Sequence, residues 1–299
     1  RLNRSFPLSG RRFNRNAAIA AMGSAVIAAS ALLSAEPVAP PRPGTPHRDT
    51  GCPPEMVRVR SYCVDRWEVS MVDQRTGRAL SPYYPPNRRL LERVAAIWQR
   101  ERTTMGPNGA RTMPLPPPAW QLTTDFEPVA VSRPGVVPQG YLSLLVAGQA
   151  CANAGKRLCT EAEWQRACRG ASGNQFPYGS EYVPMRCNVF RLYHPAYELH
   201  GHCSFGHTDP RLNLVVERAS DPLLRLTGQT AGCASRWGDD AIYDMVGNLD
   251  EWVDADGQGV FVGGFYARST KQGCDSRISS HAPSYYDYSL GTRCCRDAH

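Results

Sequence analysis

Apolar and polar residues alternate from Met56 to Met71 through Tyr62, Val64, Trp67 and Val69, which predicts extended strand ending at a turn, Arg75-Thr76-Gly77-Arg78. The period then changes. Leu90, Leu91, Val94, Ile97 and Trp98 recur at helical spacing among arginines over residues 87–102, so an amphipathic helix is expected, laid on the domain by its apolar stripe. Residues 103–140 lose any period and are rich in Pro, Gly and Thr, a surface excursion. A second helix is expected from Leu142 to Ala154, stopped by Gly155. Thr160-x-x-Glu163 is a capping box that opens a third helix, Thr160 to Arg169, with Trp164 and Cys168 four apart on its inward face. Beyond Gly170, short apolar pairs between scattered Gly, Pro, Asn and Asp predict loops that rely on crosslinks and bound ions for rigidity.

The N-terminal stretch is a different material. Residues 1–35 hold Arg4, Arg11, Arg12 and Arg15 ahead of an uncharged Ala-rich run and read as an export signal, cleaved after Leu33-Ser34-Ala35; an uncleaved anchor is the competing reading. Pro-rich residues 36–51 read as a linker to a domain over 52–299. Most of the chain's net charge of +7 belongs to the leader, since removing its five arginines leaves 29 basic against 27 acidic residues, or +2. A nucleic-acid surface needs clustered Lys and Arg in the folded part, so nucleic acid is not expected as a partner, and a membrane only through an uncleaved leader. Export also bears on the eleven cysteines, all beyond the leader and none in a C-x-x-C pair: a disulfide framework is favoured over zinc, in an extracytoplasmic setting, periplasmic, secreted or membrane-anchored. Cys52 and Cys63 flank a short strand and are expected to pair. His194, His200, His202, Cys203 and His207 crowd one short stretch. Of these, His200, His202, Cys203 and His207 could offer nitrogen and sulfur to zinc or copper, against the reading of solvated loop histidines. No P-loop, dinucleotide fingerprint or G-x-S-x-G is present.

Several blocks then converge in order: AGKRLCTEAEWQRACRG (Ala154 to Gly170), FPYG (Phe176 to Gly179), CNVF (Cys187 to Phe190), YDMVGNLDEW (Tyr243 to Trp252), GGFY (Gly263 to Tyr266) and GTRCC (Gly291 to Cys295), with CVDRWEVS (Cys63 to Ser70) before them. In this the chain resembles the formylglycine-generating enzyme (sulfatase-modifying factor) family. The resemblance implies one α+β domain of low regular secondary structure, related to the C-type lectin fold, with an insertion at about residues 75–125 in this chain. It implies calcium at two sites. The first falls on the side chains of Asp244 and Glu251 and the carbonyls of Gly247 and Leu249; the second falls on the Asn188 side chain and the Val189 carbonyl, with Asp209 considered as a further ligand. A hard cation wants such oxygens. It also implies the crosslinks Cys151 to Cys294 and Cys168 to Cys274. Cys159 and Cys295 stand where the family usually has Pro and Ala, and each lies near one end of the first of these bridges, so a parallel crosslink between them is expected. Cys187 is left with Cys233 or Cys203.

The family oxidises a cysteine of a client sulfatase to formylglycine with two active-site cysteines that hold Cu(I) shortly after the Gly-Gly-x-Tyr motif. Here the segment Ala267 to Gly273 after that motif has no cysteine. Cys274 then aligns with a structural cysteine and the reactive loop is shortened, or Cys274 is one survivor of the pair. Either way two thiolates are lacking, no catalytic residue is identified, and copper is not expected. The H-x-x-x-H-x-E iron triplet of the ergothioneine-synthase branch is absent as well. The expectation is an exported, calcium-stabilised binding or assembly module with an unknown protein or peptide ligand. A divergent metal-dependent oxidoreductase and formylglycine generation itself are the alternatives.

Overall fold

The computed structural model describes residues 51–104, 115–201, 206–216, 222–268 and 271–299. The expected leader, most of the linker, and His202 and Cys203 of the histidine stretch lie outside these. Among the described residues no helix is long and apolar enough to cross a membrane.

The alternating segment is three strands, β1 (Met56–Val59), β2 (Tyr62–Asp65) and β3 (Val69–Asp73). A tight turn with Arg60 in the left-handed region joins β1 to β2. β2 is buried at all its positions because it is not an edge: β12 (Cys294–Asp297) pairs on its other side, and β5 (Arg157–Leu158) continues the sheet in the order β1-β2-β12-β5. A second sheet runs β10-β9-β8-β11, from Arg277–Ile278, Val260–Val262, Asp250–Val253 and Leu290–Thr292. β6 (Ala234–Trp237) and β7 (Asp240–Tyr243) form a hairpin. The excursion over 103–140 is not all loop. It contains the short helix α2 (Ala119–Thr123) and a strand, β4 (Pro128–Ser132), that pairs with β3. Pro128 is tolerated because it is the strand's first residue.

All three predicted helices form. α1 (Arg88–Glu101) is capped by Asn87 and buries Leu91, Val94 and Trp98; α3 (Leu144–Asn153) is capped by Ser143. α4 (Glu161–Arg169) carries both hydrogen bonds of the Thr160–Glu163 capping box and buries Trp164 and Cys168. One further helix, α5 (Pro195–His200), lies in the stretch expected to be loop.

Five disulfides bind these elements: Cys52–Cys63, Cys151–Cys294, Cys159–Cys295, Cys168–Cys274 and Cys187–Cys233. Cys294 and Cys295 are consecutive in β12, so their side chains leave on opposite faces of the strand. Cys294 joins the apolar cluster around Trp252, Phe261 and Leu290, and Cys295 joins the one around Trp164, Val246 and Val253. One strand thereby crosslinks two adjoining cores. The crosslinks point to an oxidising, extracytoplasmic compartment.

Candidate functional site

Between β7 and β8 the chain turns through Asp244, Gly247 and Asn248, all with positive φ. Such a backbone suits Gly, and of the other residues Asn and Asp resist it least. At Gly247 the requirement is also steric, since a Cβ there would stand 2.2 Å from the Asn188 carbonyl oxygen. The turn aims polar groups inward. Asn248 donates from its backbone to the Asn188 carbonyl (2.8 Å) and from its side chain to Glu68 (2.6 Å), and the Leu249 N–H reaches the other Glu68 oxygen (3.0 Å). Asn248 Oδ1 accepts from Asn188 (2.9 Å) and from the Arg225 N–H (3.0 Å).

Glu251, at the start of β8, is held by a second set. Arg293 donates to both its carboxylate oxygens at 2.7 Å and also reaches the carbonyls of Asp65 and Tyr243, while Trp164 Nε1 donates to Oε2 at 2.6 Å. Asp244 accepts from the Gly228 N–H at 2.7 Å. Glu68, Asp244 and Glu251 are buried within electrostatic range of one another and of Arg293. Burial, outweighing the attraction of Arg293, pushes the Asp244 carboxyl up to about 7, and burial with the charges of Asp244 and Glu251 lifts Glu68 well above the carboxylate range.

These donors fit a hard cation in charge and in kind. The buried carboxylates outnumber the guanidinium set on Glu251, and Asp244 keeps acceptor capacity beyond its single N–H partner. Glu251 has less to give: three N–H groups already point at its two oxygens. At the second expected position, Asn188 donates its amide N–H groups to the Leu223 carbonyl and Asn248, and its buried Oδ1 has no hydrogen-bond partner. A buried amide oxygen left unpaired suits an ion ligand. Asp209, by contrast, has its carboxylate committed to Arg211 and His200. Glu68, Arg293 and Trp164 complete the network; the sequence singled out Trp164 only as an inward-facing helix residue, and Glu68 and Arg293 not at all. Each stands inside a block that carries the resemblance, Glu68 being an acid among alternating apolar positions.

The histidine stretch is only partly described. His200 is buried with Nε2 3.3 Å from Asp209, and the His207 ring packs against Tyr288. Among the described residues, no three His, Cys, Asp or Glu side chains are grouped to hold a metal.

Beyond β9 the Gly-Gly-x-Tyr stretch is bonded to the turn between β7 and β8, Gly247 N–H to the Gly263 carbonyl and Tyr266 N–H to the Asn248 carbonyl, both at 3.1 Å. A Cβ on Gly263 would meet the Met245 carbonyl at 2.8 Å and the Trp164 ring at 3.0 Å, so this glycine lets the segment lie close against that turn. Tyr266 is buried and donates its hydroxyl to Asn213 at 3.0 Å. Arg268 pairs with the buried Asp250, whose carboxyl burial pushes up to about 7 against the pull of the guanidinium. Cys274 is buried and bonded to Cys168, so its alternative role as survivor of a reactive pair does not hold. All ten described cysteines are in disulfides.

Known proteins resemble this chain in part or over most of its length. A formylglycine-generating enzyme of Streptomyces coelicolor is 31% identical over 157 residues, covering 48% of this chain and 48% of the relative, so the chain spans about half the length of the curated relative it matches. Among solved structures, PvdO from Pseudomonas aeruginosa superposes with a TM-score of 0.37 at 15% identity, over 85% of this chain and 89% of that one. CarF does so with a TM-score of 0.37 at 16% identity, over 80% and 87%. The family of the sulfatase-modifying factor enzyme 1-like domain matches residues 42–298, and the chain belongs to that family.

Proposed function

We propose that this chain is an exported member of the family that has kept the scaffold and given up cysteine-to-formylglycine oxidation, and that it acts as a calcium-stabilised binding or assembly domain. The carrying observation is the fate of sulfur beside Gly264. The segment from Ala267 to Gly273 has no cysteine, and the next sulfur, Cys274, is consumed by its bond to Cys168. Two converging thiolates are what would hold a soft, low-coordinate copper ion near a substrate thiol, and among the described residues no group of three His, Cys, Asp or Glu side chains stands ready to hold a metal instead. A binding role also agrees with the kinship to C-type lectins that the resemblance implies.

Calcium is assigned to Asp244 and Glu251 with the carbonyls of Gly247 and Leu249, and to Asn188 with the Val189 carbonyl. The ion would supply positive charge to a buried acidic network, in which Arg293 holds Glu251 in place. The reading is tested by incubating copper-loaded protein with a cysteine-containing peptide and oxygen. No aldehyde should form above the protein-free rate; conversion over several turnovers would refute it.

A further inference from the structure

Where the family would carry reactive thiols, this fold carries a held guanidinium. Asp250 is wholly buried, and Arg268 meets it end-on, Nη1 to Oδ1 at 2.9 Å and Nη2 to Oδ2 at 2.6 Å. The Arg268 guanidinium also lies 5.8 Å from the Phe261 ring and 5.7 Å from the Phe265 ring. A guanidinium has five N–H donors, more than the pair with Asp250 can use, so it keeps donors for another acceptor. Its side chain is 22% exposed and opens into a cavity of about 510 Å³ whose lining includes Phe190, Lys271, Ser276, Arg277 and Ile278. Arg277 is held by Glu161 at 2.7 Å, whereas Lys271 has no carboxylate partner among the described residues and stands 5.9 Å from the Tyr182 ring.

We propose that this pocket takes the carboxylate of an acidic segment on a protein partner, with Arg268 and Lys271 as its anion ligands; this rests on the binding-domain reading above. Arg268 is positioned before any ligand arrives, by a carboxylate below and two aromatic rings beside it, so little ordering is lost on binding. Planar, forked donors suit a carboxylate, and a mobile ammonium adds charge without demanding geometry. Phe190 and Ile278 give the same cavity apolar wall for the residues flanking an acid. A nucleic-acid backbone suits it less, because the chain beyond residue 35 has 29 basic against 27 acidic residues, too small a basic excess to follow a phosphate chain.

The test is fluorescence anisotropy of a labelled hexaglutamate peptide with the whole, disulfide-intact chain at low salt, with inorganic phosphate run in parallel. Saturable binding that weakens with salt is expected. Lys271→Glu, at an exposed position, should weaken it about tenfold or more with the melting temperature unchanged. The paired variant Asp250→Asn with Arg268→Gln should weaken it similarly, because it removes both charges together and leaves no buried ion alone. No saturable peptide binding, or binding by either variant as tight as that of wild type, would overturn the proposal; so would saturation by phosphate without peptide binding, which would make this a site for free small anions. None of these outcomes bears on aldehyde formation, so this proposal and the non-catalytic reading fail separately.

Discussion

Arg293 stands among Glu251, the Asp65 and Tyr243 carbonyls, and the wider acidic set of Glu68 and Asp244. Replacing it with methionine keeps most of the volume and strands those carboxylates. Breaking a buried pair from one side costs about 3–5 kcal/mol, so Arg293→Met should lower the unfolding free energy from urea titration by that much or abolish folding. Gly247→Ala should also destabilise, since its Cβ would clash with the Asn188 carbonyl and its φ of +80° is strained for alanine; the same unfolding curve measures it. These residues divide sharply in how they read from sequence. Asp244 and Glu251 stand out in one short polar turn. Glu68 does not, because its partners Asn248 and Leu249 lie 180 and 181 residues further on and only the folded chain brings them together.

Among the elements, α4 is the one most fully written locally. Its capping box is visible as Thr160-x-x-Glu163, and Glu163 also takes a bidentate bond from Arg157 at 2.7 and 2.8 Å. Burial alone would raise the Glu163 carboxyl, but the Arg157 and Thr160 hydrogen bonds prevail and hold it below the usual glutamate value. A lowered carboxyl stabilises the fold above its unfolded value, about 4.3, and that contribution is lost as pH falls through the folded value. Wild type should therefore melt higher than Glu163→Gln near neutrality, with the difference closing as the solution is acidified. β4 is the opposite case. Pro-Val-Ala-Val-Ser inside a Pro-rich run has too little period to be told from loop, and its strand character comes from pairing with β3.

For the molecule, stability is spread between crosslinks and two adjoining cores. Cys151–Cys294 and Cys159–Cys295 close loops of 143 and 136 residues from neighbouring positions of β12. Replacing Cys151 and Cys294 together with serine should cost about 2–5 kcal/mol, read as a lower midpoint in urea. If calcium occupies the acidic network, a chelator should lower the melting temperature of wild type and restored calcium should raise it again. The central claim is that the scaffold survives without a soft-metal centre. It is tested most directly by titrating the oxidised, purified protein with Cu(I) against a chromophoric chelator: the account predicts that the copper stays with the chelator, and one Cu(I) held per chain with a sulfur-to-copper absorption band would contradict it.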